Sequence, residues 1–424
     1  MRIGVTGNHP LRGEYVPGRN SNAAMAMIAA SLLTDQPVTI DALPQTASVD
    51  LMLEVAAMLG AEVGRDEAQP ETVRLTTLAI TTRLLNREMT AAKVGVVMFL
   101  PALLSRRKHV HLEVDYPVSR LHTHLTALRD LGCRVSISGG TIELRYEPWE
   151  MREVLLMQAS VTATALVAML AAAQPGRTTI FNAASEPHVC DLLHMLKAMG
   201  AEVEGIGSNV LYIRGVEALQ GATCTVAPDH IEIASVAAIA ALTGGRLSID
   251  GVRAGDLRMI AKVFDRLGVR LELDDGHLYV PRHETLQISS RDEEVDVSVE
   301  TAPWPGFPSD LVGIATLIAT QSAGTILIHE KLFKDRMIFV DKLKSFGAQI
   351  VLCDPHRAVV VGPSHLTADY LDSPDLRTGL GLLGAALVAD GETVIDGAEM
   401  YAWNFGDVLQ RLQAVGAQIR VLSR

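Results

Sequence analysis

Aromatic residues make up only 4% of this 424-residue sequence, and there are only four cysteines. With so few rings, the core has to be aliphatic and alanine-rich, a composition that suits helices packed closely on sheets. Cys133, Cys190, Cys224 and Cys353 are scattered, with no C-x-x-C pair. That spacing argues against a disulfide framework or a zinc site and fits reduced thiols in a cytoplasmic protein. Positive charge is also short: 37 Lys and Arg stand against 49 Asp and Glu, for a net charge of −12. No basic field exists to attract a polyanion, so neither nucleic acid nor a membrane surface is an expected partner. The longest apolar runs, such as 160–173, have the length of globular helices, and MRIGVTGNHPLRGEY at the start lacks the apolar stretch of a signal peptide. A small anionic substrate remains open, provided local cations converge on it.

What is abundant is hydrophobic side chain, 48% of the residues, which argues against disorder, and the length suits two domains of roughly 200 residues each. Internal repetition organises the chain. An amphipathic helix ending at a glycine, followed by a short β-like run, recurs six times, with the glycines at Gly60, Gly132, Gly200, Gly268, Gly347 and Gly416. Glycine just past such a helix can take the positive-φ conformation that ends it. Between these lie helices rich in small apolar residues, each followed by a turn and a β-branched strand: 22–40, 91–112, 159–180, 232–249, 309–328 and 375–395. Being apolar nearly all round, they are expected to be buried. Six units of about 70 residues are too large for an ordinary solenoid, whose periods run to about 20–50, and divide most simply as three plus three.

Buried helices present unpaired backbone N–H groups and a partial positive charge at their starts, which suits phosphate or carboxylate binding. Polar residues cluster there: Arg19, Asn20, Ser21 and Asn22 at the first, Lys93 at the second, Ser160 and Thr162 at the third. Asp229 and Glu232 mark the fourth, Ser309 and Asp310 the fifth, Asp375 and Arg377 the sixth. The run G-L-G-L-L-G (379–384) has the form of a dinucleotide fingerprint but lies inside a helical pattern rather than at a strand-to-helix turn, so no nucleotide cofactor is expected. The pairs His109/His111 and His122/His124 lack a third ligand at sensible spacing, and no metal is expected either.

The segments T-A-P-W-P-G-F-P-S-D (301–310), F-K-D-R (333–336), P-D-H-I-E (228–232), S-V-T-A-T (160–164) and D-L-R (375–377) resemble the enolpyruvyl transferase family, its sugar-nucleotide branch more than its shikimate branch. The resemblance spans essentially the whole chain. It implies a two-domain inside-out α/β barrel with three βαβαββ-type repeats per domain: residues 1–20 plus 229–424 as one, 21–228 as the other, with the active site in the cleft between them. It also implies phosphoenolpyruvate as donor, an anionic sugar or nucleotide as acceptor, and no cofactor. Carried over by position, Asp310 is the candidate general base, Arg336 and Arg377 hold the donor carboxylate, and Arg120 holds the phosphate side. Lys93 stands where the family has an arginine. Asp50 and Asp229 match family acids, while Ser160, Val161 and Thr162 match a stretch that touches the nucleotide sugar.

The departures shape the functional expectation. The family lysine at the start of the first buried helix is replaced within G-R-N-S-N, by Ser21 in one register or Arg19 in the other, next to Asn22. The loop H-L-E-V-D-Y-P-V-S-R (111–120) is short and lacks the usual cysteine, leaving Asp115 or Glu113 as the acid that protonates the donor methylene. Trp403 stands where the family has its last cation, and Lys334 where it has an acid. Each lost charge-assisted contact is worth roughly 1.5–3 kcal/mol. One reading is a divergent enolpyruvyl transferase acting on a phosphorylated sugar or nucleotide, with specialised metabolism a plausible setting. The alternative is a member that has lost the transfer and either performs another reaction on a sugar nucleotide or only binds it.

Overall fold

Helices that are apolar on every side have to be enclosed, and in the computed structural model they are. It describes residues 1–65, 68–90, 94–274, 276–289, 298–374 and 379–423. The chain divides into two compact units, Met1–Gly18 with Pro228–Arg424, and Arg19–Ala227. Each has its own aliphatic core.

In the second unit, helix Ser21–Ser31 is capped by Asn20, whose side chain accepts from Ala23 N at 2.9 Å, and helix Val161–Ala172 is capped by Ser160 through Ala163 N at 3.3 Å. In the first unit, Asp229 caps helix His230–Leu242 by accepting from Ile231 N at 2.9 Å and Glu232 N at 3.3 Å. Such caps satisfy donors that an isolated helix start leaves open. The remaining faces of these helices are mainly alanine, valine, leucine, isoleucine and methionine, almost wholly buried.

Around them run six separate four-stranded sheets, three in each unit, and none closes on itself among the described residues. All follow one plan. A first strand lies parallel to a second, a third is antiparallel to the second, and a fourth edges the third. In the sheet of Arg177–Phe181, for example, Met151–Leu155 is the parallel neighbour, Val210–Arg214 the antiparallel one, and Glu202–Glu204 the edge. In one sheet of the first unit the third strand is Arg2–Thr6, held between Glu392–Ile395 and Gln418–Ser423. The six glycines that end the amphipathic helices all have positive φ, from 89° at Gly268 to 110° at Gly416.

The G-L-G-L-L-G run has a packing reason. A Cβ on Gly381 would lie 3.0 Å from the Gly313 carbonyl carbon, and one on Gly384 would lie 2.9 Å from Leu317 Cδ2 and 3.0 Å from Ile239 Cγ1. These glycines let helix Gly381–Val388 approach helices Val312–Gln321 and His230–Leu242 closely. Among the described residues no helix is long and apolar enough to cross a membrane.

Candidate active site

In the first unit, the segment 301–310 folds into a tight loop through Ala302 N to Phe307 O (3.0 Å) and Gly306 N to Pro303 O (2.8 Å), and so presents the turn Ser309–Leu311. Asp310 projects from that turn. Its Oδ1 accepts from Arg336 Nη1 at 2.7 Å. Arg336 follows Asp335, which adopts left-handed backbone (φ 62°), and its guanidinium lies over the Phe333 ring at 4.5 Å. A guanidinium already stacked and paired is pre-oriented for a planar anion.

Asp229 belongs to the same neighbourhood. It is 7% exposed. Burial, then the charge of Glu232, push its carboxyl up to about 7 against the two backbone N–H groups it accepts, and Asp310 adds to the rise. A carboxyl poised there can give or take a proton at neutral pH. Beside it, the His230 and Trp304 rings meet edge to face at 5.5 Å.

Two buried acids support this cluster, Glu330, which no sequence motif flags, and Glu232, which closes the motif at 228–232. Glu330, wholly buried, accepts from Ser309 Oγ at 2.6 Å with one oxygen and from Leu332 N and Phe333 N at 2.8 and 3.0 Å with the other. Thr301 Oγ1 accepts from Lys331 N at 2.9 Å. The loop carrying Asp310 is thereby tied to the loop carrying Arg336. The signal that could have flagged Glu330 is an acid closing the apolar strand Gly324–His329. Glu232 is the second support. It is 1% exposed and accepts from Tyr15 Oη (2.7 Å), Gly18 N (2.8 Å) and Arg411 Nη2 (2.8 and 2.9 Å).

In the second unit, Asn22, Val161 and Thr162 border one cavity of about 170 Å³, together with Met25, Met98 and Leu192. Thr162 Oγ1 lies 2.6 Å from His124 Nε2. Ser160 serves as the helix cap described above. Ser21 is buried, with its Oγ 3.2 Å from Thr46 Oγ1, and Arg19 Nη1 donates to Val226 O at 3.5 Å. Asp115 and Arg120 are exposed and flank Tyr116. Burial and then the Asp115 charge push the Tyr116 phenol up to about 12, with Arg120 opposing. Asp50 pairs with Arg65 at 3.1 Å. Trp403 sits half-buried in helix Glu399–Phe405 of the first unit. Lys93 and Arg377 lie outside the described residues, as does Asp375.

The structure thus groups Asp229, Asp310 and Arg336 in the first unit and Asn22, Val161 and Thr162 in the second. The profile of the family described as EPSP synthase (3-phosphoshikimate 1-carboxyvinyltransferase) matches residues 5–412. The chain belongs to this enolpyruvyl transferase family. It is 39% identical over 422 residues to a UDP-N-acetylglucosamine 1-carboxyvinyltransferase of Bradyrhizobium diazoefficiens, covering 98% of this chain and 97% of that one. A protein of the same description from Borreliella burgdorferi is 37% identical over 420 residues, with 98% of each chain covered. Among solved structures, the enolpyruvyl transferase NikO from Streptomyces tendae superposes with a TM-score of 0.86 at 23% identity, covering 99% of this chain and 98% of that one. An EPSP synthase from Acinetobacter baumannii gives 0.75 at 16% identity, with both chains covered in full. At those identities the structural likeness speaks to the α/β fold.

Proposed function

We propose that the protein transfers the enolpyruvyl group of phosphoenolpyruvate to a hydroxyl of a sugar nucleotide, with UDP-N-acetylglucosamine the first acceptor to test. The observation that carries this reading is the Asp310–Arg336 pair beside a buried Asp229 whose carboxyl titrates near 7. In the addition step the acceptor oxygen bonds to C2 of phosphoenolpyruvate, its proton passes to Asp310, and C3 gains a proton from an acid. In the elimination step C3 returns a proton, the bond from C2 to the phosphate oxygen breaks, and inorganic phosphate leaves an enolpyruvyl ether.

Arg336 holds the donor's planar carboxylate with its fork, and Arg377, Arg120, Lys93 and Arg19 supply further positive charge. Asp115 is the acid assigned to the donor methylene, and Asp229, ionised or protonated at neutral pH, is a second proton carrier. Ser21, Asn22, Ser160, Val161, Thr162 and Trp403 meet the acceptor. The same reading makes each unit a set of three βαβαββ repeats in an inside-out barrel, supported by three sheets of one strand plan per unit.

The test is incubation of the purified protein with phosphoenolpyruvate and UDP-N-acetylglucosamine, other UDP-sugars, UMP or shikimate 3-phosphate. Products are followed by mass spectrometry and phosphate release. An enolpyruvyl adduct that requires Asp310 supports the reading and names the acceptor. Turnover or binding of a sugar nucleotide with no use of phosphoenolpyruvate overturns it.

A further inference from the structure

Strands Gly324–His329 and Arg357–Gly362 run antiparallel, and their register pairs His329 with Arg357. One step further along, Glu330 faces His356, the second residue of the two-residue turn that joins strand Gln349–Asp354 to Arg357–Gly362. Glu330 N donates to His356 O at 2.8 Å, as a continuing ladder requires. The return bond is different. His356 N donates to Asp354 Oδ1 at 2.8 Å instead, and it is His356 Nδ1 that lies 2.9 Å from Glu330 O. We propose that His356 is a positioning residue for the transfer reaction. Its ring N–H replaces the captured backbone N–H and holds Glu330 to the sheet, together with the Asp310 turn and the Arg336 loop that Glu330 fastens. This deepens the function proposed above and rests on the roles given there to Asp310 and Arg336.

The chemistry of the turn explains why the backbone N–H is taken. In D-P-H-R (354–357) the proline presets φ at the second turn position, and an aspartate at the first accepts from the N–H two residues on. That N–H, and then Arg357, whose Nε donates to Asp354 Oδ2 at 2.7 Å, hold the Asp354 carboxyl below its ordinary range. Asp354 is therefore an ionised acceptor at neutral pH and keeps the His356 N–H for itself.

The direction of the ring bond follows from its partner. A carbonyl oxygen only accepts, so Nδ1 carries the proton whether the imidazole is neutral or charged. Glu330 is wholly buried, so its carbonyl has no water to turn to when the ring is removed. The consequence comes from what hangs on Glu330. Its carboxylate accepts from Ser309 Oγ, one residue before Asp310, and from Leu332 N and Phe333 N, just before Arg336. A shift of the Glu330 backbone is passed to both members of the Asp310–Arg336 pair.

Asparagine carries an amide nitrogen on Cγ, as histidine carries Nδ1, whereas glutamine carries its amide one carbon further out. His356→Asn can keep the bond to Glu330 O, and His356→Ala and His356→Gln cannot. Melting temperatures would be checked first, and whichever of the Ala and Gln variants folds serves as the loss variant. Steady-state kinetics with phosphoenolpyruvate and UDP-N-acetylglucosamine should show kcat about tenfold lower in the loss variants, with KM for phosphoenolpyruvate raised and KM for the acceptor unchanged. His356→Asn should stay near the wild type. A merely looser fold would lower the amount of active enzyme and leave both KM values where they are. Hydrogen–deuterium exchange of the ligand-free proteins, read by mass spectrometry on a peptide spanning 330–336, should show faster uptake in the loss variants and not in His356→Asn. Wild-type kcat and KM in the loss variants, or the same losses in His356→Asn, overturn the proposal. A wild type that transfers nothing from phosphoenolpyruvate overturns the function proposed above. In that case the exchange still decides on His356: faster uptake in the loss variants upholds it as the residue that holds the two loops, and unchanged uptake overturns that as well.

Discussion

Ser309 Oγ donates to Glu330 Oε2 at 2.6 Å, so the turn that carries Asp310 is fastened to a carboxylate that also receives two backbone N–H groups of the Arg336 loop. One buried acid holds both halves of the Asp310–Arg336 pair in register. Glu330→Ala leaves a hydroxyl and two N–H groups without their acceptor. We expect a loss of about 1–3 kcal/mol in urea denaturation. We also expect a fall of about a hundredfold in kcat/KM, because reacting groups displaced by an ångström lose that much. Glu330→Gln, which keeps the shape and one acceptor oxygen, should recover most of the rate. Wild-type kcat/KM in Glu330→Ala, read by phosphate release, would show that the tie does not position the pair.

Asp310 and Arg336 should separate kinetically. Removing the base lowers the chemical step, so Asp310→Asn is expected to reduce kcat by about 10²–10⁴ with KM for phosphoenolpyruvate little changed. Arg336→Lys keeps the charge but loses the fork and the stacking on Phe333. Its KM for phosphoenolpyruvate should rise about tenfold or more, matching the loss of one charge-assisted bond. Steady-state kinetics with both substrates varied would check the split, and a pure KM effect in Asp310→Asn would remove it from the role of base.

Much of this neighbourhood could be read from local pattern, and its coupling could not. Asn20, Ser160 and Asp229 stand just ahead of apolar runs, which marks helix starts without any tertiary information. The motif at 301–310 likewise drew attention to Asp310. Glu330 escaped notice because its partners are a serine twenty-one residues back and two backbone amides, a pairing with no sequence period. The Glu232–Arg411 pair spans 179 positions. His124 looked like half of a possible metal pair. Its pairing with Thr162, on another helix, emerges only in the fold. Periodicity reports which faces are buried, but long-range polar pairing is set by how the faces meet.

Asp229 and His124 should give stability opposite dependences on pH. The Asp229 carboxyl lies near 7 in the fold, above the ordinary 3.8, so its contribution is full below about pH 4 and declines as pH rises toward 7. His124 lies near 4 in the fold, below the ordinary 6.5, so its contribution is full above about 6.5 and declines as pH falls toward 4. Asparagine caps a helix as well as aspartate does. Asp229→Asn should therefore be the more stable protein at pH 8, by an amount on the order of a few kcal/mol, and should lose that advantage near pH 4. Melting curves of the two proteins from pH 4 to 8 test it. A constant difference across that range would mean that Asp229 does not titrate there.

The Glu232–Arg411 pair should be costly to break from one side. Arg411 also donates to Phe405 O at 3.0 Å and pairs with Asp407, while Glu232 is too deeply buried to recover hydration. Arg411→Met leaves the Glu232 carboxylate with only Tyr15 Oη and Gly18 N, and the loss is expected to be about 3–5 kcal/mol. Adding Glu232→Gln to that variant removes the stranded charge and should restore a substantial part of the loss, a coupling that a double-mutant cycle measures directly. Glu232 is also the nearest charge in sequence raising the Asp229 carboxyl. The double variant should accordingly shift the Asp229-dependent decline in stability to lower pH. If the two substitutions add without coupling, the pair contributes nothing specific; a decline that stays where it is in the wild type would show that Glu232 does not raise the Asp229 carboxyl.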